Sequence, residues 1–212
     1  MNKVLVFDFG ASSGRAMLCQ YDDGKVSLSE VHRFSNDPVM VRGTFYWDIL
    51  RLFHEIKQGI VKANAAGGFE SIGIDTWGVD FGIVSAEGAL LENPVNYRDK
   101  RTNGILPTAF EKISANELYS ETGIQIMEIN TAFQLLSLKL HREHILNNAQ
   151  QLLFMPDLMA YLLTGQMNAE ISIASTSQLV DAQTHDWSDR VIDALGLPRD
   201  IFPKIIPSGT NV

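Results

Sequence analysis

The first third of the chain has the hydrophobic pattern of β-strands. Residues 4–7 are apolar and lead directly into Asp8, a turn of small residues follows, and residues 16–19 are apolar again. Residues 25–34 then alternate well enough to form a further strand. The pattern therefore predicts an antiparallel meander of three strands over residues 3–34.

A helix and two short strands are predicted next. Apolar residues recur at helical spacing from Ile49 to Val61, with Asp48 as a candidate N-cap and a glycine pair at the end. Residues 71–76 and 81–84 read as short strands separated by a turn. A meander followed by a helix and a strand implies a mixed sheet with a helix on its face.

Helical patterns dominate from about residue 100 onwards, although this change of pattern gives no reason to divide the chain into domains. Ser114 and Glu117 have the spacing of a capping box. The other predicted helices are one that contains Phe133–Leu140, one over 155–165 that begins with proline and ends with glycine, one over 174–179, and one from Trp187 to Leu195.

Composition and charge exclude several classes of protein. The chain has 212 residues, 45% hydrophobic, with a net charge of -8 and a pI of about 5.0, which argues against a nucleic-acid or anionic-membrane surface. Its single cysteine, Cys19, allows no intramolecular disulfide and is expected to be buried and inert. The start lacks the pattern of a signal peptide, and no apolar run approaches the length of a membrane span. We therefore expect a cytoplasmic protein.

The turn after the first strand carries the strongest candidate chemistry. Gly10 and Gly14 would permit unusual backbone angles, and the intervening N–H groups and serine hydroxyls could form an anion nest suited to phosphate. Arg15 could add a charge-assisted contact. Asp8 would repel a bare phosphate, so its place here makes sense if Mg²⁺ lies between them. The plain alternative is a hairpin turn without any function.

The second candidate stretch is the end of the strand at residues 71–76. Asp75, like Asp8, ends a strand, and ligands of open α/β sheets collect beyond strand ends, so both acids are expected to face one cleft. The alternative for Asp75 is a turn carboxylate that caps local N–H groups. Gly78 could allow a ligand to approach the main chain, although simple turn geometry is the commoner reason for such a glycine. Trp77 is expected to be a core residue. The charged cluster at 96–102 reads as a structural ion-pair cluster or a solvated loop, with substrate contact as the alternative.

Six segments together resemble the FGGY carbohydrate kinases, whose fold is the actin-like, ribonuclease-H-like ATPase fold. They occur in family order along essentially the whole chain: residues 8–15, 73–81, 97–104, 155–157, 163–165 and 176–180. The string Asp75-Thr76-Trp77-Gly78-Val79-Asp80-Phe81 narrows the resemblance to members that act on L-rhamnulose. The fold class implied is an α/β domain with a mixed sheet, an antiparallel three-strand start and flanking helices.

The resemblance implies transfer of the ATP γ-phosphate to the 1-hydroxyl of L-rhamnulose, with Mg²⁺. It assigns the ATP phosphates to Ala11, Ser12, Ser13, Gly14 and Arg15, the metal to Asp8 and the sugar site to Gly78. The implied partners are a sugar, ATP and a C-terminal lobe, with no nucleic acid and no membrane. Two alternatives stay open: a kinase of the same family for another ketose or polyol, and a non-catalytic nucleotide- or sugar-binding module.

The chain is shorter than the kinases of the family that it resembles. In the family the general base and the adenosine pocket follow the region matched here, so no catalytic residue is predicted within residues 1–212. Residues 1–212 are therefore expected to be the N-terminal domain, incomplete at its C-terminal end and without the nucleotide-binding lobe. We expect this chain to be inactive by itself.

Overall fold

The structure of the chain, a computed structural model, describes residues 2–212. The strands in that range are β1 (Asn2–Phe9), β2 (Ser13–Asp22), β3 (Lys25–Ser35), β4 (Val39–Val41), β5 (Thr44–Tyr46), β6 (Ser71–Asp75), β7 (Phe81–Val84), β8 (Gln151–Phe154), β9 (Ala169–Glu170) and β10 (Ile205–Ile206). The α-helices are α1 (Ile49–Ala65), α2 (Leu106–Phe110), α3 (Ala115–Thr122), α4 (Thr131–His141), α5 (Glu143–Asn147), α6 (Met155–Thr164), α7 (Ile171–Ser175) and α8 (Asp189–Leu195).

The described residues form two compact units. The first contains the residues up to Val39 together with Trp47–Trp77, and the second contains Met40–Tyr46 and Gly78–Val212. The unit boundary after Trp77 does not coincide with the change of sequence pattern near residue 100.

The first unit is a mixed sheet of four strands in the order β3-β2-β1-β6. β1 pairs antiparallel with β2, β2 pairs antiparallel with β3, and β6 joins the other side of β1 in parallel. This confirms the predicted antiparallel meander and the mixed sheet. The parallel pairing of β1 and β6 follows from the intervening helix, because a parallel neighbour requires a crossover connection.

The core of the first unit lies between β1 and α1. Leu5, Phe7 and Phe9 alternate along β1 and are all buried, as expected for one face of a strand. Gly59 lets α1 lie close to this face, since a Cβ added there would come within 2.6 Å of the Phe7 ring. The predicted N-cap is also confirmed, because the Asp48 side chain accepts a hydrogen bond from the Arg51 N–H.

The second unit contains three two-stranded sheets and most of the helices. β4 pairs with β5, β7 pairs antiparallel with β8, and β9 pairs in parallel with β10. Its core includes most of α4, where Phe133, Leu135 and Leu136 are fully buried. The apolar residues of α4 are surrounded by neighbouring elements rather than confined to one stripe.

Several predicted helix ends are confirmed by their capping geometry. Ser114 and Glu117 form the reciprocal capping box at the start of α3. α6 has proline in its first turn and ends at Gly165 in the left-handed conformation. Ser188 caps α8 by accepting a hydrogen bond from the Val191 N–H.

Two expectations were wrong in detail. The helix predicted over 174–179 ends earlier, since α7 stops at Ser175 and Gln178 has a φ of +63°. Cys19 was expected to be buried, but it is half-buried, because it lies on the strand face opposite the core residues of β2. No helix within residues 2–212 combines the length and the hydropathy of a membrane span.

Candidate functional sites

The loop between β1 and β2 is closed by three hydrogen bonds. The Gly10 N–H donates to the Ser13 carbonyl at 2.9 Å, and the Asn36 N–H donates to the Ser12 carbonyl at 3.0 Å. The buried Asn36 side chain also donates to the Gly10 carbonyl, at 2.8 Å. Within residues 2–212 no group accepts from the Ala11 or Ser12 N–H. The loop therefore satisfies its carbonyls internally and leaves adjacent N–H donors for an anion, as an anion nest requires.

The glycines of this loop have a different role from the one predicted. Neither Gly10 nor Gly14 has a φ in the left-handed region, so conformational freedom is not the reason for them. A Cβ at Gly14 would lie 2.3 Å from the Phe34 ring, which packs edge-on against Phe9 with 5.4 Å between the ring centroids. Gly14 is thus required because the aromatic core of the first unit fills the space of its side chain.

Charged residues form a row across the sheet beside this loop. The register places Asp75, Asp8, Arg15 and Arg33 on neighbouring strands in that order. Arg15 Nε donates to Asp8 Oδ2 at 3.0 Å, and Arg33 pairs with Glu30 on its own strand. The hydrogen bond from Arg33, followed by the positive charges of Arg33 and Arg15, holds the pKa of Glu30 below its usual value. This end of the sheet therefore has an acidic half, formed by Asp75 and Asp8, next to a basic half, formed by Arg15 and Arg33.

The acidic half fits Mg²⁺ only as part of a larger ligand set. Mg²⁺ is typically held by one or two carboxylates with substrate phosphates and water. In the described part of the chain no group of three or more His, Cys, Asp or Glu side chains could hold a metal. The Asp8 side chain is 43% exposed, and among residues 2–212 the only partner of its carboxylate is Arg15, which contacts Oδ2. Its Oδ1, with Asp75 in register beside it, fits a cation that phosphate oxygens also bind.

The turn after β6 has an unusual backbone. The Asp80 N–H donates to the Gly78 carbonyl at 2.9 Å, and Val79 between them has a φ of +66°. These are the features of a γ-turn with positive φ, which is rare and strained, above all for a β-branched residue. Strain of this kind clusters at ligand-binding sites.

Polar side chains, most of them buried, surround the γ-turn. The Val79 N–H donates to Thr176 Oγ1, and the Val79 carbonyl accepts from Thr131 Oγ1 and from the Gln134 side chain. The Asp80 carboxylate accepts from the Tyr97 N–H at 3.1 Å and from the Gln134 amide at 3.0 Å. Asp80 is therefore a structural anchor that orders several segments.

The charged cluster at 96–102 makes structural hydrogen bonds, and substrate contact by its residues stays a prediction. Asp99 accepts from the N–H groups of Phe45 and Arg101, and the Arg101 side chain donates to Gln134. Burial lowers the pKa of the Arg101 guanidinium, while the negative charges of Asp80 and Asp99 oppose that shift. Burial of the positively charged guanidinium is costly, and the nearby negative charges of Asp80 and Asp99 offset that cost.

Trp77 was expected to be a core residue, but it is only half-buried, with its ring centroid 4.1 Å from that of the fully buried Trp47. His141 and His144 are both exposed. Sequence reasoning missed Asn36, Thr131, Gln134 and Thr176. Asn36 lies just after the third predicted strand, and the other three belong to segments that gave no sign of contact with residues 78–80.

The family model that matches this chain describes the N-terminal domain of the FGGY family of carbohydrate kinases, and it matches residues 3–212. The chain belongs to this family. The resemblance stated from the sequence motifs is therefore confirmed.

The FGGY chain is similar to curated rhamnulokinases. It is 42% identical to the rhamnulokinase of Bacteroides thetaiotaomicron over 97% of its own length and 42% of that protein. It is also 42% identical to the Halalkalibacterium halodurans rhamnulokinase and 39% identical to one from Yersinia pestis, covering 44% of each. The chain thus spans less than half the length of the curated relatives that it matches.

Solved FGGY kinases share the fold. A xylulose kinase and a gluconate kinase, both from Lactobacillus acidophilus, superpose with TM-scores of 0.85 over 97% of this chain and 42% of theirs, at 19% identity. This confirms the predicted fold class, an α/β domain of the actin-like ATPase fold with a mixed sheet. The roles of Asp8, Gly78 and the phosphate loop stay predictions.

Proposed function

We propose that this chain is the N-terminal lobe of an ATP-dependent sugar kinase that phosphorylates the 1-hydroxyl of L-rhamnulose. The observation that carries the proposal is the 39–42% identity to rhamnulokinases over 97–99% of the chain. Residues 1–212 then act together with a C-terminal lobe that supplies the adenosine pocket and the general base. No residue of this chain is assigned as the base.

In this proposal the loop from Ala11 to Arg15 binds the ATP phosphates. The N–H groups of Ala11 and Ser12 and the exposed hydroxyls of Ser12 and Ser13 donate hydrogen bonds. Gly14 keeps the loop against the Phe34 ring. Because Arg15 is 47% exposed, its guanidinium can turn from Asp8 to a phosphate oxygen without leaving a buried partner unpaired.

Asp8 would hold Mg²⁺ in the same proposal, and the ion would neutralise charge on the phosphoryl oxygens. If Arg15 turned to a phosphate oxygen, both oxygens of the Asp8 carboxylate would be available to hold the ion. Phosphoryl transfer depends mainly on such positioning and charge neutralisation. Gly78 would line the sugar site through its main chain.

The test is an ADP-release assay on the protein expressed from the full reading frame that contains this sequence. L-rhamnulose, L-ribulose, D-xylulose and glycerol are compared by kcat/KM at saturating ATP and Mg²⁺. The proposal expects L-rhamnulose to be preferred by at least about tenfold, since loss of one or two sugar contacts costs that much. A preference for another sugar would overturn the substrate, and no sugar-dependent ADP release would overturn the kinase assignment.

A further inference from the structure

We infer that Thr176 is a positioning residue for the sugar site, which acts by holding the strained turn at Gly78–Asp80 in its binding shape. The inference rests on the proposed function, because it takes Gly78 to be a sugar contact. All the residues that carry it belong to the second unit.

The γ-turn requires restraint from outside its own segment. Val79 is a β-branched residue at φ +66°, which L side chains other than glycine rarely adopt. The hydrogen bond within the turn, from the Asp80 N–H to the Gly78 carbonyl, spans only three residues. A strained conformation of this kind persists only when the surrounding structure over-determines it.

Side chains supply that restraint at both polar groups of Val79. Its carbonyl accepts from Thr131 Oγ1 at 2.7 Å and from Gln134 Nε2 at 3.2 Å, and both of those side chains are buried. Its N–H donates to Thr176 Oγ1 at 3.1 Å. The hydrogen bonds clamp the peptide units on the two sides of Val79, and removal of either would leave a buried polar group unpaired.

The hydroxyl of Thr176 has a fixed direction. A threonine hydroxyl has one proton to donate, and here it goes to the Ile173 carbonyl at 2.8 Å. A lone pair is thereby aimed at the Val79 N–H. The same side chain is held by the last turn of α7, since the Thr176 N–H also bonds to the Ile173 carbonyl at 3.1 Å.

Thr176 also explains why residue 78 is glycine. A Cβ built at Gly78 would lie 3.1 Å from Thr176 Oγ1 and 3.2 Å from both Thr176 Cβ and Cγ2. The space for a side chain at residue 78 is therefore filled by Thr176. Gly78 is half-buried, and the surface that it can offer to a ligand is main chain.

Two observations thus converge on one residue. Thr176 hydrogen-bonds the centre of the turn and also fills the side-chain space of the adjoining glycine. A change at Thr176 should shift the Gly78 main chain, and hence sugar affinity, without any contact between Thr176 and the sugar.

The test compares three variants of the full-length protein by KM for sugar, KM for ATP, kcat and thermal midpoint. Thr176→Val keeps the shape but removes the acceptor, and Thr176→Ser keeps the hydroxyl. Thr122→Val is the matched control, a buried threonine of the same unit whose hydroxyl donates to the Leu118 carbonyl at 2.8 Å. A lost hydrogen bond to a buried partner predicts a rise of roughly tenfold in sugar KM for Thr176→Val.

The expected pattern separates positioning from a general loss of stability. Thr176→Val should leave ATP KM within about twofold of the unaltered protein, and Thr176→Ser should restore most of the sugar affinity. Thr122→Val should lower the thermal midpoint and leave sugar KM unchanged. An unchanged sugar KM in Thr176→Val, or equal rises in both KM values, would overturn the inference.

A fourth variant tests the strain directly. Adding Val79→Gly to Thr176→Val should bring sugar KM back towards that of the unaltered protein, because glycine adopts positive φ without help. If Thr176→Val does not fold, Thr131→Val must raise sugar KM in the same selective way, or the inference fails. Failure of the unaltered protein to turn over any sugar would overturn the proposed function, and this inference with it.

Discussion

At the scale of single residues, the candidate phosphate loop depends on neighbours that are distant in sequence. Asn36 closes the loop through two hydrogen bonds, and the Phe34 ring fills the space beside Gly14. Both residues belong to β3 or the segment just after it. A loop that needs this much support is unlike a free hairpin turn, because its shape is fixed before any ligand arrives.

Asp8→Asn tests the residue that we assign to the metal. We expect the kcat of the full-length protein to fall by at least about a hundredfold at low Mg²⁺, because an amide is a much weaker ligand for a hard cation. Stability should hardly change, since an exposed pair such as Asp8 with Arg15 contributes only about 0–1 kcal/mol. The measurement is kcat against Mg²⁺ concentration, together with a thermal melt.

Glu30→Gln is the matched control for Asp8→Asn. Glu30 is also an exposed acid of the same sheet and is paired with an arginine, Arg33, at 2.5 Å. It should lose its ion pair without any change in the Mg²⁺ dependence. The same Mg²⁺ dependence in Asp8→Asn as in the unaltered protein would contradict the assignment.

At the scale of secondary structure, the start of α6 contains a buried acid. Asp157 lies in the first turn, and its Oδ1 accepts from the Glu170 N–H at 3.1 Å. Its Oδ2 is buried and has no hydrogen-bond partner within residues 2–212. Burial raises the pKa of Asp157 to about 7, helped by the negative charge of Glu170 and opposed by the hydrogen bond from the Glu170 N–H.

This raised pKa predicts an unusual pH dependence. The folded protein keeps the Asp157 proton that the unfolded chain releases near pH 3.8, so the stabilisation is complete below that pH and is lost as pH rises towards about 7. Between pH 4 and pH 7 this group should lower the free energy of unfolding by roughly 1–3 kcal/mol. Urea unfolding across that range, compared between the unaltered chain and Asp157→Asn, isolates the effect.

Asp181→Asn provides a control of opposite sign. Hydrogen bonds from the N–H groups of Thr184 and Gln183 lower the pKa of Asp181, so its stabilisation is present above pH 3.8 and is lost as pH falls further. The difference between this variant and the unaltered chain should be constant from pH 5 to pH 8. If the Asp157→Asn difference is equally constant there, Asp157 is ionised in the folded chain and the prediction is wrong.

The comparison of sequence with structure shows which elements are encoded locally. The capping box at Ser114 and the helix stop at Gly165 were predictable, because each depends on residues within one turn of it. The γ-turn was not, since Val79 is held by Thr131, which is 52 residues away, and by Thr176, which is 97 residues away. The helix wrongly extended to residue 179 fails for the same reason, because the Asn130 side chain donates to Gln178 from 48 residues away.

The same distinction applies to the candidate sites. The motif at 8–15 indicated where the phosphate loop lies, but not that packing against Phe34 requires Gly14. The string at 73–81 indicated Gly78, but not that Thr176 occupies the space of its missing side chain. Sequence patterns identify the segment that carries a function, whereas the long-range contacts that give the segment its shape need the structure.

At the scale of the whole molecule, each compact unit has its own buried core. The first unit packs β1 against α1, and the second has an extensive core that includes α4 and α8. Local and long-range signals agree through most of the chain, which is typical of sequences that fold. The chain is nevertheless less than half as long as the rhamnulokinases to which it is similar.

We therefore predict that the chain of residues 1–212 folds but has no measurable rhamnulose kinase activity. Under the proposed function the general base lies outside these residues, and such a group commonly contributes about 10²–10⁴-fold. ATP would be held by its phosphates only, and no second lobe would close to position the reacting atoms. Circular dichroism with a cooperative thermal melt tests folding, and sugar-dependent ADP release tests activity.

The control for this prediction is a protein extended through the second lobe and assayed beside the short chain. Comparable sugar-dependent turnover by both would overturn the interpretation as an N-terminal lobe and would require a base within residues 1–212. Asp75 would then be the stronger candidate, because it is exposed at the end of β6 in register with Asp8. Asp80 is fully buried and accepts hydrogen bonds from Tyr97 and Gln134, so its carboxylate is committed to the turn rather than to a substrate proton.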